Sequence, residues 1–302
     1  MARVIPRSSR GPGPAGRRGC RIGSRRLSRD TPPVTVVIPV WDQYVRFLPE
    51  AVDSVRRDDP HVPIVVVDNA STTHVPDLEG TVVIRLPRRV SIGSARNRGI
   101  ERVESRYIVV LDADDMLLPG SLEALATALD GDPAASAHAR SIIEGESGNR
   151  HRTPRRFAPA LARLRRAFAF FEVAWSLFPT QGCTMMRTAE VRDAGGYADA
   201  DWGEDWVLAV SLAFRGRIRI DNTPALYYRS HGQSQWRTRR VSAGELTECA
   251  RLVRERVRRD VAIPPWGRAL LPIGAVLQLV VIYGVRPLYI GARRLGGLTR
   301  QG

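Results

Sequence analysis

Tyr107-Ile108-Val109-Val110-Leu111-Asp112-Ala113-Asp114-Asp115 is the stretch on which the fold turns. Five mostly apolar residues read as a buried strand. They run into three carboxylates, which are costly to bury without a counter-charge. In open α/β sheets, ligands sit at the carboxyl ends of the strands. Hard oxygen donors there suit Mg²⁺ or Mn²⁺, usually together with substrate phosphates. The competing reading is an acidic turn before a helix, because Leu118-Pro119-Gly120-Ser121 leads into one. The flanking sequence breaks the tie.

Upstream, Thr35-Val36-Val37-Ile38-Pro39-Val40 predicts a first strand, and residues 49–57 a helix opening near Pro49. Pro63-Ile64-Val65-Val66-Val67-Asp68 predicts a second strand that also ends in a carboxylate, and Val82-Val83-Ile84-Arg85 a short third. Ser91 to Gly99 opens a helix that runs toward Ser105. This order points to a doubly wound, mainly parallel α/β sheet. Its strand ends would gather Asp68, Asp112 and Asp114 in one crevice. No glycine-rich dinucleotide fingerprint follows the first strand, which disfavours NAD.

Downstream, a helix is expected over 121–130, then irregular chain to about 150. His151 to Arg166 is strongly basic, and Phe157 to Phe171 reads as an amphipathic helix or loop-helix. Gly195-Gly196-Tyr197 and Gly203-Glu204-Asp205-Trp206 form a second polar cluster. Val207, Leu208, Val210, Leu212 and Phe214 predict a helix beginning at the acidic pair. Residues 242–260 read as a charged helix. Ala269 to Val285 is uncharged and mostly apolar, at the lower edge of what crosses a bilayer, with Pro272 and Gln278 against a span. Arg286, Arg293 and Arg294 follow it. Membrane association through a short span or an interfacial helix is the expectation, with a helix buried on the domain as the alternative.

The chain has 302 residues, 43% apolar content and a net charge of +15, enough for a real core. All 46 basic residues are Arg, which excludes Schiff-base lysines and the usual phosphate-loop lysine. A basic surface favours anionic partners: nucleotides, acidic lipids or nucleic acid. Nucleic-acid binding rests on Arg content alone, without interleaved aromatics, and is not expected. Cys20, Cys183 and Cys249 have neither zinc nor disulfide spacing and fit a reducing cytoplasm. Residues 1–31, rich in Arg, Gly, Pro and Ser, are expected to be a disordered tail without a secretory signal. The expected organisation is that tail, a catalytic domain over 32–240 and a helical extension over 241–302.

Taken together, the chain resembles the family-2 glycosyltransferases of the GT-A fold over roughly residues 33–235. Seven motifs in the family's order carry the resemblance. They are Val36 to Asp42; Val65 to Thr72; Gly93-Ser94-Ala95-Arg96-Asn97-Arg98-Gly99; Leu111 to Asp115; Gly195-Gly196-Tyr197; Gly203-Glu204-Asp205-Trp206; and Tyr228-Arg229-Ser230-His231. Trp41-Asp42 departs from the family, which more often has a Tyr- or Phe-like residue and then Asn.

The resemblance implies an inverting, metal-dependent enzyme. It would move a sugar from a nucleotide-sugar donor, a UDP-sugar first among them, to an acceptor hydroxyl. The acceptor would be a glycan, a lipid-linked molecule or a small metabolite, in cell-surface glycan, glycolipid or polysaccharide biosynthesis. Work at the inner face of the cell membrane is expected. Asp114 would ligate a divalent cation, Mg²⁺ or Mn²⁺, with His231 contacting the metal or the diphosphate. Asp112 would hold the ribose hydroxyls or a metal-bound water. Asp115 would be a further ligand or, preferably, a helix cap. Asp68 would accept a hydrogen bond from the base, beside Pro39, Val40 and Trp41. Arg96 would approach the phosphates or hold Asp112, and Asn97 would hold the loop. Asp205 would be the general base, with Glu204 the runner-up. Trp202 and Trp206 would stack on sugars or pack in the core. A polyprenyl-phosphate sugar transferase and a nucleotide-sugar-binding protein without turnover are the alternatives.

Overall fold

The computed structural model describes residues 33–145, 150–152, 157–229, 231 and 242–285. The expected Arg-rich tail over 1–31 lies outside them. Strands β1 (Val34–Val40), β2 (Ile64–Asp68), β3 (Thr81–Arg85) and β4 (Tyr107–Val110) run parallel in the order β3-β2-β1-β4. β1, β2 and β4 are buried throughout. Alternate side chains feed two cores, as a strand's period of two requires. Val37, Val65, Val67, Ile108 and Val110 enter one core. Val36, Ile38, Val66, Val109 and Leu111 enter the other. The chain turns to opposite sides of β1 to make β2 and β4, so a crevice opens at the carboxyl ends of these three strands.

A 3₁₀ turn (Asp42–Phe47) leads into α1 (Leu48–Asp58), whose Leu48, Ala51, Val52 and Val55 are buried. α2 (Ile92–Ile100) is capped by Ser91, whose hydroxyl accepts from the Ser94 N–H. It stops five residues short of Ser105. β5 (Met116–Leu117) and α3 (Ser121–Asp130) follow.

The expected irregular stretch to about 150 is overturned. Ala135–Glu144 is a ten-residue strand, β6, and Arg150–Arg152 is β7, paired with it. Small Ala137 and Ala139 alternate there with Ser136, His138 and Arg140, so no run of large apolar residues announces a strand. Helices α4 (Ala158–Ala162), α5 (Arg165–Ala174) and α6 (Thr188–Asp193), strand β8 (Thr184–Arg187), helix α7 (Glu204–Arg215) and strand β9 (Arg217–Tyr228) complete this half. β8 joins β4 and β6 antiparallel, while β9 lies parallel to β6. The sheet is thus parallel through β4 and mixed beyond it. α7 begins at the acidic pair, as its sequence pattern predicts.

Ser242 and Glu245 form a reciprocal capping box for α8 (Ala243–Arg259). α9 (Pro265–Ala269), α10 (Leu271–Leu279) and a wider π-helical turn (Val280–Val285) end the described chain. Among the described residues, no helix is long and apolar enough to cross a membrane, so the short span expected over 269–285 is not seen there. α10 lies against the domain instead. Its Gln278 donates to the Val173 carbonyl at 2.6 Å and accepts from Arg254 at 2.6 Å.

Candidate active site

The first wall is the end of β1. Pro39 and Val40 lie in register with Val67 and Asp68, and the Asn69 N–H donates to the Val40 carbonyl at 2.9 Å. Trp41 is half-buried, with the Arg89 guanidinium 3.7 Å from its ring centroid. Asp42 (φ +36°) and Ala70 (φ +56°) both have left-handed backbones, which side chains rarely adopt. The two loops are laced together. Asp42 Oδ1 accepts from the Thr72 hydroxyl at 2.7 Å and its N–H at 2.8 Å, and Asp42 N–H donates to Ser71 Oγ. The Thr72 bonds hold the Asp42 carboxyl below its ordinary pKa.

Asp68, at the end of β2, is 1% exposed. One oxygen accepts from the Ser71 N–H and the other from Arg85, both at 2.8 Å. The carboxylate is therefore engaged with Arg85. Sequence reasoning missed this pairing, although the parallel register sets Asp68 beside Arg85.

At the end of β4 the acids diverge. Asp112 accepts from Arg96 Nη2 at 2.7 Å. Asp114 Oδ2 lies 3.1 Å from His231 Nε2. The His231 ring packs 4.8 Å from the Phe47 ring centroid. Asp115 is buried and accepts from the Arg229 N–H at 3.1 Å. It does not cap a helix as expected, because α3 starts six residues later behind Gly120. With Arg229 Nε on the Asp114 carbonyl at 3.1 Å, it moors the end of β9 and delivers His231 to Asp114. Burial raises the pKa of Asp114, and Asp112 adds to this. Burial also raises that of Asp115 well above the ordinary range, with Asp114 and Asp112 adding repulsion.

No group of three or more His, Cys, Asp or Glu side chains able to hold a metal ion occurs among the described residues. Asp114 and His231 are two donors of suitable chemistry, set beside the carboxylates of Asp112 and Asp115. A divalent cation fits such a pair if it takes its remaining ligands from a diphosphate and water.

The opposite wall is the start of α7. Gly203 caps it at φ +73°, and a Cβ there would strike Cys249 Sγ. Glu204 is buried and pairs with Arg96 Nη1. Asp205 is half-buried and accepts from the Trp206 N–H at 2.8 Å and from the side chain of Gln181. Burial pushes the Glu204 pKa up to about 7 against the pull of Arg96. Burial likewise raises that of Asp205, with Arg96 opposing. Trp206 belongs to the core, its indole N–H on the Glu172 carbonyl at 2.6 Å, while Trp202 is half-buried beside the same core.

Arg96 joins the two walls. It is 4% exposed, holds Asp112 with one nitrogen and Glu204 with another, and lies 5.2 Å above the Tyr197 ring. Burial alone would lower its pKa, but the two carboxylates together raise it above the ordinary Arg value. Its neighbour Asn97 bonds the Tyr197 backbone twice, N–H to Oδ1 and Nδ2 to carbonyl, both at 2.9 Å. Gly196, at φ +66°, packs so tightly on Asn97 that a Cβ would collide with it. Gln181, Arg85 and the mooring role of Asp115 were not visible in the sequence. Gln181 had one local cue, the adjacent Gly182, whose φ is +44°.

The family model for glycosyl transferase family 2 matches residues 35–193. The chain is 24% identical over 212 residues to the uncharacterized glycosyltransferase alr2836 of Nostoc sp., covering 66% of this chain and 65% of that protein. It is 25% identical over 214 residues to the succinoglycan biosynthesis protein ExoO of Rhizobium meliloti, covering 65% and 60%. The chain spans about a third to two thirds of the length of the curated relatives it matches. Its fold is shared with S. aureus TarS 1–349, solved in complex with UDP-GlcNAc. The TM-score is 0.62 at 14% identity, over 82% of this chain and 72% of that one.

Proposed function

The chain belongs to glycosyl transferase family 2, and from that premise we propose that it transfers a sugar from a nucleotide-sugar donor to an acceptor hydroxyl with inversion. The observation that carries this is Arg96, one buried cation gripping Asp112 on the donor side and Glu204 on the acceptor side. It makes the acids of distant segments walls of one crevice.

Asp205 is the general base. Glu204 is committed to Arg96, whereas Asp205 remains half-buried at the helix start with a raised pKa suited to taking a proton. The acceptor oxygen bonds to the anomeric carbon as that carbon's bond to the diphosphate oxygen breaks. The acceptor proton passes to Asp205, and the electron pair leaves with the diphosphate. Asp114 and His231 would hold a divalent cation, which supplies charge stabilisation for the departing diphosphate. Trp41 and the Asp68–Arg85 pair would face the nucleobase, and TarS, crystallised with UDP-GlcNAc, supports a UDP-sugar donor. ExoO, a succinoglycan biosynthesis protein, supports an acceptor in cell-surface polysaccharide assembly. With such acceptors the enzyme would work at the inner face of the membrane.

The test is nucleotide release from a panel of sugar nucleotides in the presence of Mn²⁺. Slow donor hydrolysis by the wild type that disappears in Asp114→Asn is expected. Tight donor binding with no turnover of any sugar nucleotide would sink the proposal.

A further inference from the structure

The C-terminal helix is built inside out. Its face toward the domain carries Leu271, the small Gly274 and the polar Gln278, all buried. Gly274 abuts Val173, and Gln278 reaches the Val173 carbonyl. Its outer face carries Ile273, Val276, Leu279, Val280 and Tyr283, each between 48% and 60% exposed. Ile273, Val276, Val280 and Tyr283 recur at steps of three, four and three, which aligns them on one stripe opposite the buried residues. A soluble helix normally does the reverse, sinking its large apolar side chains and leaving its amide in water.

Charge lies alongside. α10 and its π-helical turn run antiparallel to α8, because Gln278 bonds Arg254 while Tyr283 bonds Thr247 at 2.9 Å. Arg251, Arg254 and Arg258 sit at steps of three and four on α8, and Arg258 and Arg259 are exposed. Arg251 is matched by Glu248 and Glu255. The next seventeen residues, 286–302, add four Arg and no acid. A second copy of the chain is a poor occupant. Five half-exposed side chains offer on the order of a few hundred Å², against about 800 Å² per partner in a stable interface. Mating such faces would also bring Arg-rich flanks together. An apolar stripe edged by Arg matches the boundary of an acidic bilayer, with acyl chains under the stripe and headgroup phosphates under the guanidinium groups.

We propose that the outer stripe of Ile273, Val276, Leu279, Val280 and Tyr283 docks this protein flat on a membrane of acidic lipid, with the exposed Arg residues of α8 contacting headgroup phosphates. The proposal deepens the membrane part of the proposed function, and donor hydrolysis in lipid-free solution tests the catalytic part separately.

The experiment is flotation of the full-length protein with vesicles of phosphatidylcholine alone, or with about a third phosphatidylglycerol. The wild type floats with the acidic vesicles only, and loses binding about tenfold as salt rises to about 0.5 M. The triple variant I273S/V276S/V280S loses about tenfold or more in binding while keeping its melting temperature and its donor hydrolysis. R258S/R259S weakens binding to acidic vesicles, leaving the fold intact. Wild type that floats with neither vesicle overturns the proposal, as does equal flotation with both or a triple variant that binds like wild type. A concentration-dependent dimer that the triple variant abolishes, with no flotation, assigns the stripe to a second copy and also overturns it.

Discussion

The two acid clusters of the crevice share one buried cation but differ in how many acids they crowd together. Glu204 and Asp205 come with a cation built in: Arg96 is buried against Glu204, and Gln181 and the Trp206 N–H bond Asp205. Asp112, Asp114 and Asp115 are more numerous, and they share that same Arg96, one imidazole, and the backbone N–H and guanidinium of Arg229. The pair is matched by Arg96 within the fold. The trio crowds three carboxylates together, and on the proposed function it would gain most when a cation and a diphosphate arrive together. On that reading the acceptor wall would be preorganised, while the donor wall would be finished by its ligand.

The sharpest break of this comparison is Asp205→Asn. Transfer is expected to fall about 10²- to 10⁴-fold, the range for loss of a general base. Donor affinity, followed by titration calorimetry, stays unchanged, because the donor wall is untouched. A variant that transfers normally moves the base elsewhere.

Arg96→Leu strips the only side-chain cation from Glu204 among the described contacts. Leaving buried acids uncompensated costs about 3–5 kcal/mol in chemical unfolding at pH 8. The sign of the pH effect follows from the raised carboxyl pKa values. Such acids favour the protonated form in the fold, so their contribution is present at low pH and fades as pH rises through the folded value. For Glu204 in the wild type that fading runs from about 4.5 to about 7. Without Arg96 the folded-state pKa values of Glu204 and Asp205 climb further, so stability recovers on acidification. The acidic limb of the transfer profile moves to higher pH, since Asp205 must be ionised to act.

Asp114→Asn sharpens the contrast from the other side. It is expected to lower transfer about 10²- to 10³-fold, the scale of a lost transition-state stabiliser. Melting temperature holds or rises, because a repelling charge has left a crowded site. An unchanged dependence of donor binding on Mn²⁺ would count against the cation assignment. The smallest effect is Asn97→Ala, which removes two bonds to the Tyr197 backbone and costs about 1–3 kcal/mol by thermal melt.

The two halves of the crevice also differ in legibility. β1, β2 and β4 announce themselves because Val and Ile runs buried on both faces leave few alternatives to a central parallel strand. The helix at Glu204 is equally plain, since acids precede a dense apolar repeat. β6 hides because Ala137 and Ala139 are core residues only where helices press closely upon them. β9 hides because Asp221, Asn222 and Thr223 interrupt its pattern. Among site residues, those at strand ends could be named from position alone. Arg96 was placed between two roles, phosphate or Asp112, and its bond to Glu204 spans 108 residues that local pattern cannot bridge. Asp115 looked like a cap because a helix follows nearby, but the partner that claims it lies 114 positions later.

The mooring of β9 by Asp115 bears on how the molecule can be cut and recombined. The stretch that matches the family ends at residue 193, before Glu204, Asp205 and His231 appear. A graft taken at that boundary would carry the nucleotide wall without its imidazole and strand Arg96 opposite foreign chemistry. Chimeras meant to exchange acceptor preference must therefore move Arg96 and Glu204 as one unit, and Asp115 with the Arg229 turn as another. During synthesis the same dependence delays completion of the pocket until residue 231 has left the ribosome, well after its first strands are free to pair.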